Sequence, residues 1–395
     1  MGYLGLDLDT LTAKGAVHTA KEISQQPELW KKIWAKLNED QSGINRFLER
    51  ALSDSKRIIL TGAGTSGYIG RSLSGAFQRN TKIVSEAICT TDLVSHPKDY
   101  LRRDIPLLLI SFARSGNSPE SLAAVSLADE LCDTCYHLII TCNAAGSLAM
   151  YGDSDDRRFV FTLPEEANDQ SLAMTSSYTG MLLAGMLLAE MQTLENNKTV
   201  VDTLAQYGRK VINYYFDDFR TISEKNFKRA VFLGSGPLHG TATESHLKLQ
   251  ELTDGKIICK DDSFLGFRHG PKAVIDEDTL VVYIFSNDPY VQKYEKDLVA
   301  SMRRGNPPLL EVGVMEKMMP DVALEYSFSF SENGGKVREE FLAVCSVLPA
   351  QLLAFFKSLQ LGLQPDSPSA TGAISRVVEI FPIYEFKREH EALNH

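Results

Sequence analysis

Three loops in this chain place hydroxyl side chains where a helix begins, and a small anion is the kind of ligand such loops can hold. Gly62-Ala63-Gly64-Thr65-Ser66-Gly67 follows the apolar run Arg57-Ile58-Ile59-Leu60-Thr61 and precedes an amphipathic stretch that reaches Phe77. Ser115-Gly116-Asn117-Ser118-Pro119-Glu120 follows a second apolar run, Pro106 to Ser111, and Thr175, Ser176 and Ser177 stand at a third helix start. Free backbone N–H groups and hydroxyls give a phosphate several neutral donors, and the helix dipoles add favourable potential without a buried arginine. Each hydroxyl could instead cap its own helix. Three such loops in one chain favour a shared ligand site.

Further groups could move protons. Glu244, Lys248 and Glu251 share one helix face, a spacing that by itself reads as a solvated face with i,i+4 and i,i+3 charge pairs. His269 lies between Arg268 and Gly270-Pro271, in a loop rather than on an apolar helix face, and histidine titrates near neutral pH. His239, near another glycine loop, is a weaker candidate, and His96 and His137 read as structural. Cys132 and Cys135 form a lone CxxC within an apolar helical pattern, with no second pair at metal spacing, so helix surface is the reading. No metal-ligand cluster stands out, and no cofactor is needed for simple proton transfer.

These groups need elements to position them. At 395 residues the chain is long enough for two ordinary domains, and 44% hydrophobic against 23% charged residues is a globular composition. A net charge of −10 argues against sequence-independent nucleic-acid binding or attachment to a membrane surface. Six cysteines without a signal sequence read as reduced thiols in a cytoplasmic protein. The most apolar stretch, Met181 to Leu188, is too short to span a bilayer and reads as a buried helix.

Residues 1–45 read as a helical N-terminal segment, with Leu29, Trp30, Ile33 and Leu37 at helical spacing. Strands alternate with helices from Lys56, with further strands expected at His137 to Thr141 and Phe159 to Leu163. This predicts a doubly wound parallel α/β sheet over 46–205. Ala230-Val231-Phe232-Leu233 running into Gly234-Ser235-Gly236, and a later strand at Leu280 to Phe285, predict a second such domain over 206–362. The polar helical stretch from Glu195 to Asp218 connects the halves, and an irregular tail, 363–395, is expected to lie across a domain surface.

Several motifs, taken in order, resemble the sugar isomerase (SIS) domain, of which the chain would carry two, each a flavodoxin-like three-layer sandwich. These are GAGTSG, SFARSGNSPES, LGSGPLHGTATESHLKLQELT and FRHGPKAVID. The likeness extends to the isomerase half of glucosamine-6-phosphate synthase, including KEISQQP. Through TTDLVSHP, ITCNAAGSLA, LAMTSS and PDSPSATGAISRVV it is closer to the AgaS family, the galactosamine-6-phosphate deaminase/isomerases also labelled tagatose-6-phosphate ketose/aldose isomerases.

The resemblance implies that Gly64, Thr65, Ser66, Ser115, Gly116, Asn117 and Ser118, with part of Thr175 to Ser177, hold a hexose or hexosamine 6-phosphate. It implies that Glu251 transfers the proton, with Glu244 and Lys248 beside it, and that His269 opens the sugar ring from the neighbouring subunit of a homodimer. The synthase's catalytic tail lysine is missing: the matching stretch reads Ile374-Ser375-Arg376-Val377, and arginine cannot be deprotonated to form a Schiff base. Arg376 therefore falls at the substrate without that role.

The implied activity is aldose–ketose isomerisation, with deamination of galactosamine 6-phosphate to tagatose 6-phosphate and ammonia. One carboxylate can take the proton and return it to the next carbon, and partial desolvation of Glu251 would strengthen it as a base. Plain tagatose-6-phosphate isomerisation and a noncatalytic phosphosugar-binding regulator are the alternatives. A nicotinamide-dependent enzyme would rest on GxGxxG with Glu86 about twenty residues on, and the hydroxyl-rich loops tell against it.

Overall fold

The computed structural model describes residues 2–151, 155–302, 304–332, 337–377 and 381–386. The apolar runs form β1 (Arg57–Thr61), β3 (Leu107–Ala113) and β4 (Cys135–Thr141), and every residue of β3 and β4 is buried, as in a sheet covered on both faces. With β2 (Val84–Ala87) and β5 (Arg158–Thr162) they make a parallel sheet of order β2-β1-β3-β4-β5. The second half repeats it with β6 (Arg229–Gly234), β7 (Ile258–Asp262), β8 (Thr279–Ile284), β9 (Leu310–Lys317) and β10 (Tyr326–Ser331), in the order β10-β9-β8-β6-β7. Read from β7, the second sheet has the same winding as the first, and all its pairings are parallel. Two α/β sheets of one winding are what the alternating pattern predicts.

β7, β9 and β10 escape the sequence reading. Cys259-Lys260-Asp261-Asp262 is too charged to read as a buried strand, and Tyr326-Ser327-Phe328-Ser329-Phe330-Ser331 alternates with serine. Cys132 and Cys135 are not on a helix surface: Cys132 ends the Pro119–Leu131 helix, Cys135 begins β4, and both are buried. All six cysteines are free thiols. The apolar pair of helices over Glu339–Gln360, rather than Met181 to Leu188, is long and apolar enough to cross a membrane, but 94% of its apolar window is buried inside the protein, as core helices are.

One apolar core runs from Trp30 and Ile33 of the Val17–Glu39 helix through the fully buried Ser176–Ala189 helix to Phe355 in the second half. Trp30 donates its indole N–H to Thr179 Oγ1 at 3.1 Å, which satisfies a polar atom inside that core. The 205/206 division falls inside the Asn197–Tyr214 helix, which packs on the Val17–Glu39 helix and on elements of the second half.

The seam that matters most joins the Thr65–Thr81 helix of the first half to the Pro237–Leu252 helix of the second. They run antiparallel: Thr65 meets Lys248, while Ser72 Oγ donates to the carbonyl of Pro237 at 2.7 Å. Gly240 allows the close approach, since a Cβ there would lie 2.2 Å from Ser72 Oγ and 2.8 Å from Ser72 N. The last turn of one helix is thus laid against the first turn of the other.

Candidate active site

In a sheet of this winding the strand order reverses between β1 and β3, and ligands bind at the carboxyl ends of the strands flanking that switch point. The two loops there are the ones carrying Gly64 to Ser66 and Ser115 to Ser118. A small cavity of about 100 Å³ lies between them, lined by Ser66, Ser115, Ser118, Glu120, Ser121, Arg114 and Arg376. A larger cleft of about 470 Å³ is lined by Gly64, Thr65, Leu247, Glu251, Arg114 and the tail segment Gly372 to Arg376. The two share Ala63, Arg114, Met174 and Arg376, so they form one continuous groove with a hydroxyl-rich end and a carboxylate end.

The hydroxyl end is built by two helix starts. Gly64 has φ +52°, a conformation that favours glycine and leaves open space beside the loop. Gly67 lies so close to β1 that a Cβ would sit 2.8 Å from the Gly62 carbonyl oxygen. Ser118 and Ser121 share a hydrogen bond of 2.6 Å across the first turn of the Pro119–Leu131 helix. Asn117 does not face the groove: it is exposed, and its Oδ1 accepts from Ser147 N and Oγ. Gly116, at φ +66°, makes the turn that separates the two serines.

The third hydroxyl-rich helix start is spent elsewhere. Asp169 accepts from the backbone N–H groups of Thr175, Ser176 and Ser177 at 2.8, 3.0 and 2.9 Å, and from the Ser177 hydroxyl at 2.5 Å. All three residues are buried, and an internal carboxylate already occupies the position an anion would take. Neither a ligand site nor self-capping by these hydroxyls is what the structure shows: Asp169 caps this helix start, and the Thr175 and Ser177 hydroxyls donate to it.

At the other end, Glu244 and Lys248 are fully buried, so the charged face is not solvated. Lys248 Nζ reaches Glu251 at 2.6 Å, Glu244 at 3.2 Å and Thr65 Oγ1 at 3.2 Å. Burial pushes the Glu244 carboxyl up to about 8 despite Lys248 beside it, and its Oε2 has no hydrogen-bond partner. Burial works against the Lys248 ammonium, but the two carboxylates outweigh it and hold its pKa above the ordinary lysine value. One ammonium thus stands between two carboxyl groups, and Glu251, its side chain 23% exposed, is the one that opens on the cleft. Such a carboxylate can act as a base on a bound substrate.

His269 is exposed and lines neither part of the groove. Its loop follows β7, at the end of the sheet where the Pro237–Leu252 helix begins, whereas Glu251 is in that helix's last turn, roughly 20 Å along the helix axis from its start at 1.5 Å per residue. His239 is half-exposed beside Asp261, at 3.4 Å, and His137 is buried against Asp129 at 2.7 Å. Asp129, Cys135 and His137 could hold a metal by proximity, but the Asp129 oxygens already bind His137, Tyr151 and Arg158. Glu86 is paired with Arg57 at 2.6 Å and so is not free for a ribose.

The tail does not simply cross a surface. Asp366 accepts from His18 N and from Thr19 N and Oγ1, and its carbonyl accepts from Leu172 N at 3.0 Å, which threads the tail between the N-terminal helix and the 168–172 loop. It then roofs the cleft, where Arg376 donates to the carbonyl of Asp169 and to Asn168 Oδ1 at 3.1 Å. Arg114 is the main residue the sequence reading missed. The signal was a charge directly after an apolar strand, β3, at the start of a glycine loop.

The second half's own switch point is filled with acid. The Glu295 carboxylate accepts from Ser286 N at 3.0 Å and is pushed up to about 8 by burial, and Glu339 binds the Ser286 hydroxyl beside the Gly236 loop.

Comparison with known proteins identifies the family. The SIS domain family model matches residues 51–191. The D-galactosamine-6-phosphate deaminase AgaS of Shewanella sp. (strain ANA-3) is 42% identical over 96% of this chain and 95% of its own length. A crystal structure from Clostridium novyi NT superposes with TM-score 0.95 at 39% identity, covering 98% of this chain and all of that one. The tagatose-6-phosphate ketose/aldose isomerase from Escherichia coli gives TM-score 0.86 at 37% identity, over 94% of this chain and 97% of that chain. With 42% identity to the Shewanella relative over nearly the full length of both chains, and the SIS domain model matching its first half, the chain belongs to the AgaS family of SIS-domain proteins.

Proposed function

We propose that this protein is a sugar-phosphate isomerase/deaminase that converts D-galactosamine 6-phosphate to tagatose 6-phosphate and ammonia. One observation carries the reading: Glu251 opens on a cleft continuous with the serine-lined cavity, so a sugar phosphate seated by Ser66, Ser115 and Ser118 would present its other end to a carboxylate. The phosphate would lie between two helix starts, where backbone donors and hydroxyls favour an anion.

In this reading Glu251 takes the C2 proton of the ring-opened amino aldehyde and returns it to C1. The aldehyde becomes an enolamine and then a ketose imine, and water adds to the imine carbon and releases ammonia. No lysine is consumed, which fits Arg376 in the tail, and no cofactor is required. Lys248 positions the Glu251 carboxylate and supplies positive charge as the enolamine forms. Ring opening falls to His269 of the partner subunit in a homodimer, which accounts for its distance from Glu251 in its own chain. A cytoplasmic setting suits the six free thiols. The name of the Escherichia coli relative supports a second reading, isomerisation of tagatose 6-phosphate without deamination. The buried Lys248–Glu251 pair favours catalysis over a binding-only regulator.

The test is ammonia release from galactosamine 6-phosphate and glucosamine 6-phosphate by the purified protein and by Glu251→Gln. Release from the galacto sugar, reduced about 10²- to 10⁴-fold in the variant, is the expected result. Silence on both sugars with turnover of tagatose 6-phosphate moves the assignment to the second reading.

A further inference from the structure

Arg114 is a buried cation with no carboxylate at ion-pair distance among the described residues, Asp169 and Glu251 acting on it only from further away. It is 7% exposed, and none of the ion pairs among the described residues includes it. Its guanidinium is held by main-chain carbonyls alone: Nη1 donates to Leu172 at 3.0 Å and to Ser171 at 3.5 Å, and Nη2 donates to the carbonyl of Arg376. Nε has no partner. Removing a charge from water is costly unless an opposite charge or a full set of hydrogen bonds replaces the solvent, and three carbonyl dipoles leave this set incomplete.

The position of the residue says what completes it. Arg114 lines both the serine cavity and the Glu251 cleft, at their junction. Glu120 also lines the serine cavity, buried and with Oε2 unpartnered, so an anion there gains from positive charge on the same lining, where Arg114 is the buried guanidinium beside the half-buried Arg376. Glu120 and Arg114 are not paired with each other, which leaves the arginine's charge available to a ligand.

We infer that Arg114 is a binding and specificity residue: its guanidinium is the counter-charge for the substrate's phosphate, and its hold on the Arg376 carbonyl ties phosphate binding to the position of the tail that roofs the cleft. The ligand class is a phosphate monoester. The inference deepens the functional reading above and rests on it for the identity of the sugar, but the binding step can be examined with inorganic phosphate alone. A purely structural arginine, pinning the 171–172 loop to the tail, would matter for folding and not for anion charge.

The experiment is calorimetric titration of inorganic phosphate into the full-length protein and into Arg114→Lys, Arg114→Gln and Arg114→Met, with thermal melts of each. KM and kcat for galactosamine 6-phosphate are measured in parallel. The expected result is phosphate affinity at least tenfold weaker in Arg114→Gln and Arg114→Met and within about threefold of wild type in Arg114→Lys, with KM following phosphate affinity more closely than kcat. Lysine keeps the charge but not the planar fork, so its partial rescue separates charge from the loop contacts. Wild-type phosphate affinity in a folded Arg114→Gln or Arg114→Met overturns the inference, as does no phosphate binding by the wild type at millimolar concentration. Equal losses in all three variants that track their melting temperatures also overturn it. Phosphate binding that depends on Arg114, with no turnover of any sugar, would sustain this inference while sinking the functional reading.

Discussion

Glu244 shows what burial does to a charged face. Its carboxyl sits out of water beside the buried Lys248, and its pKa rises to about 8 from an unfolded value near 4.5. Between those two values the folded chain holds a proton that the unfolded chain has released, so this group's contribution to stability falls as pH rises through that window, by up to about 1.4 kcal/mol per pH unit. Glu244→Gln cannot ionise. The melting temperature of the variant is therefore expected to fall less between pH 5 and pH 8 than that of the wild type, by calorimetry at matched ionic strength; parallel curves would refute the assignment. Spacing alone could not reveal this. Residues 244, 248 and 251 have the pattern of a solvated face, and only the helix packed across them makes it a buried one. The hydroxyls of Ser66, Ser115 and Ser118 were legible because glycine loops after apolar runs have a local signature. Asp169, which takes the donors of Thr175 to Ser177, was not, because a carboxylate six to eight residues upstream carries no such signature.

Elements decide which of these residues meet. β1, β3 and β4 were legible as unbroken apolar runs, and the repeat of strand, glycine loop and helix gave the second half. Invisible in the sequence was the antiparallel seam between the Thr65–Thr81 and Pro237–Leu252 helices, because contacts between residues about 180 apart leave no local period. That seam places Glu251 beside Gly64 and Thr65. Gly240 sets its depth, so Gly240→Ala must push the helices apart or displace Ser72. The expected outcome is a loss of about 1–3 kcal/mol in denaturant unfolding, together with a fall in kcat larger than in a surface variant of equal stability. A fall in stability with unchanged kcat would mean that the seam supports the fold without setting the geometry of the groove.

At the scale of the whole molecule, the two proton-handling candidates lie far apart in one chain, and a two-fold partner is the economical way to unite them. Glu251→Gln and His269→Ala proteins, each inactive alone, should regain activity when unfolded together and refolded. In a two-fold dimer random pairing gives half the dimers one intact site of two, or about a quarter of wild-type activity. Activity no greater than the sum of the two parents would place ring opening within a single chain. The tail was legible as irregular, but its course over the cleft was not, since Asp366 meets Thr19 and Leu172 only after both halves have folded.

The acidic switch point of the second sheet bears on how many sugar phosphates one chain is expected to hold. Glu295 and Glu339 bond Ser286 just after β8, the place where in the first sheet the loop after β3 carries Ser115 and Ser118. The proposed function therefore expects one phosphate ester per chain, bound in the first half's groove, with the second half contributing Glu251 to that groove.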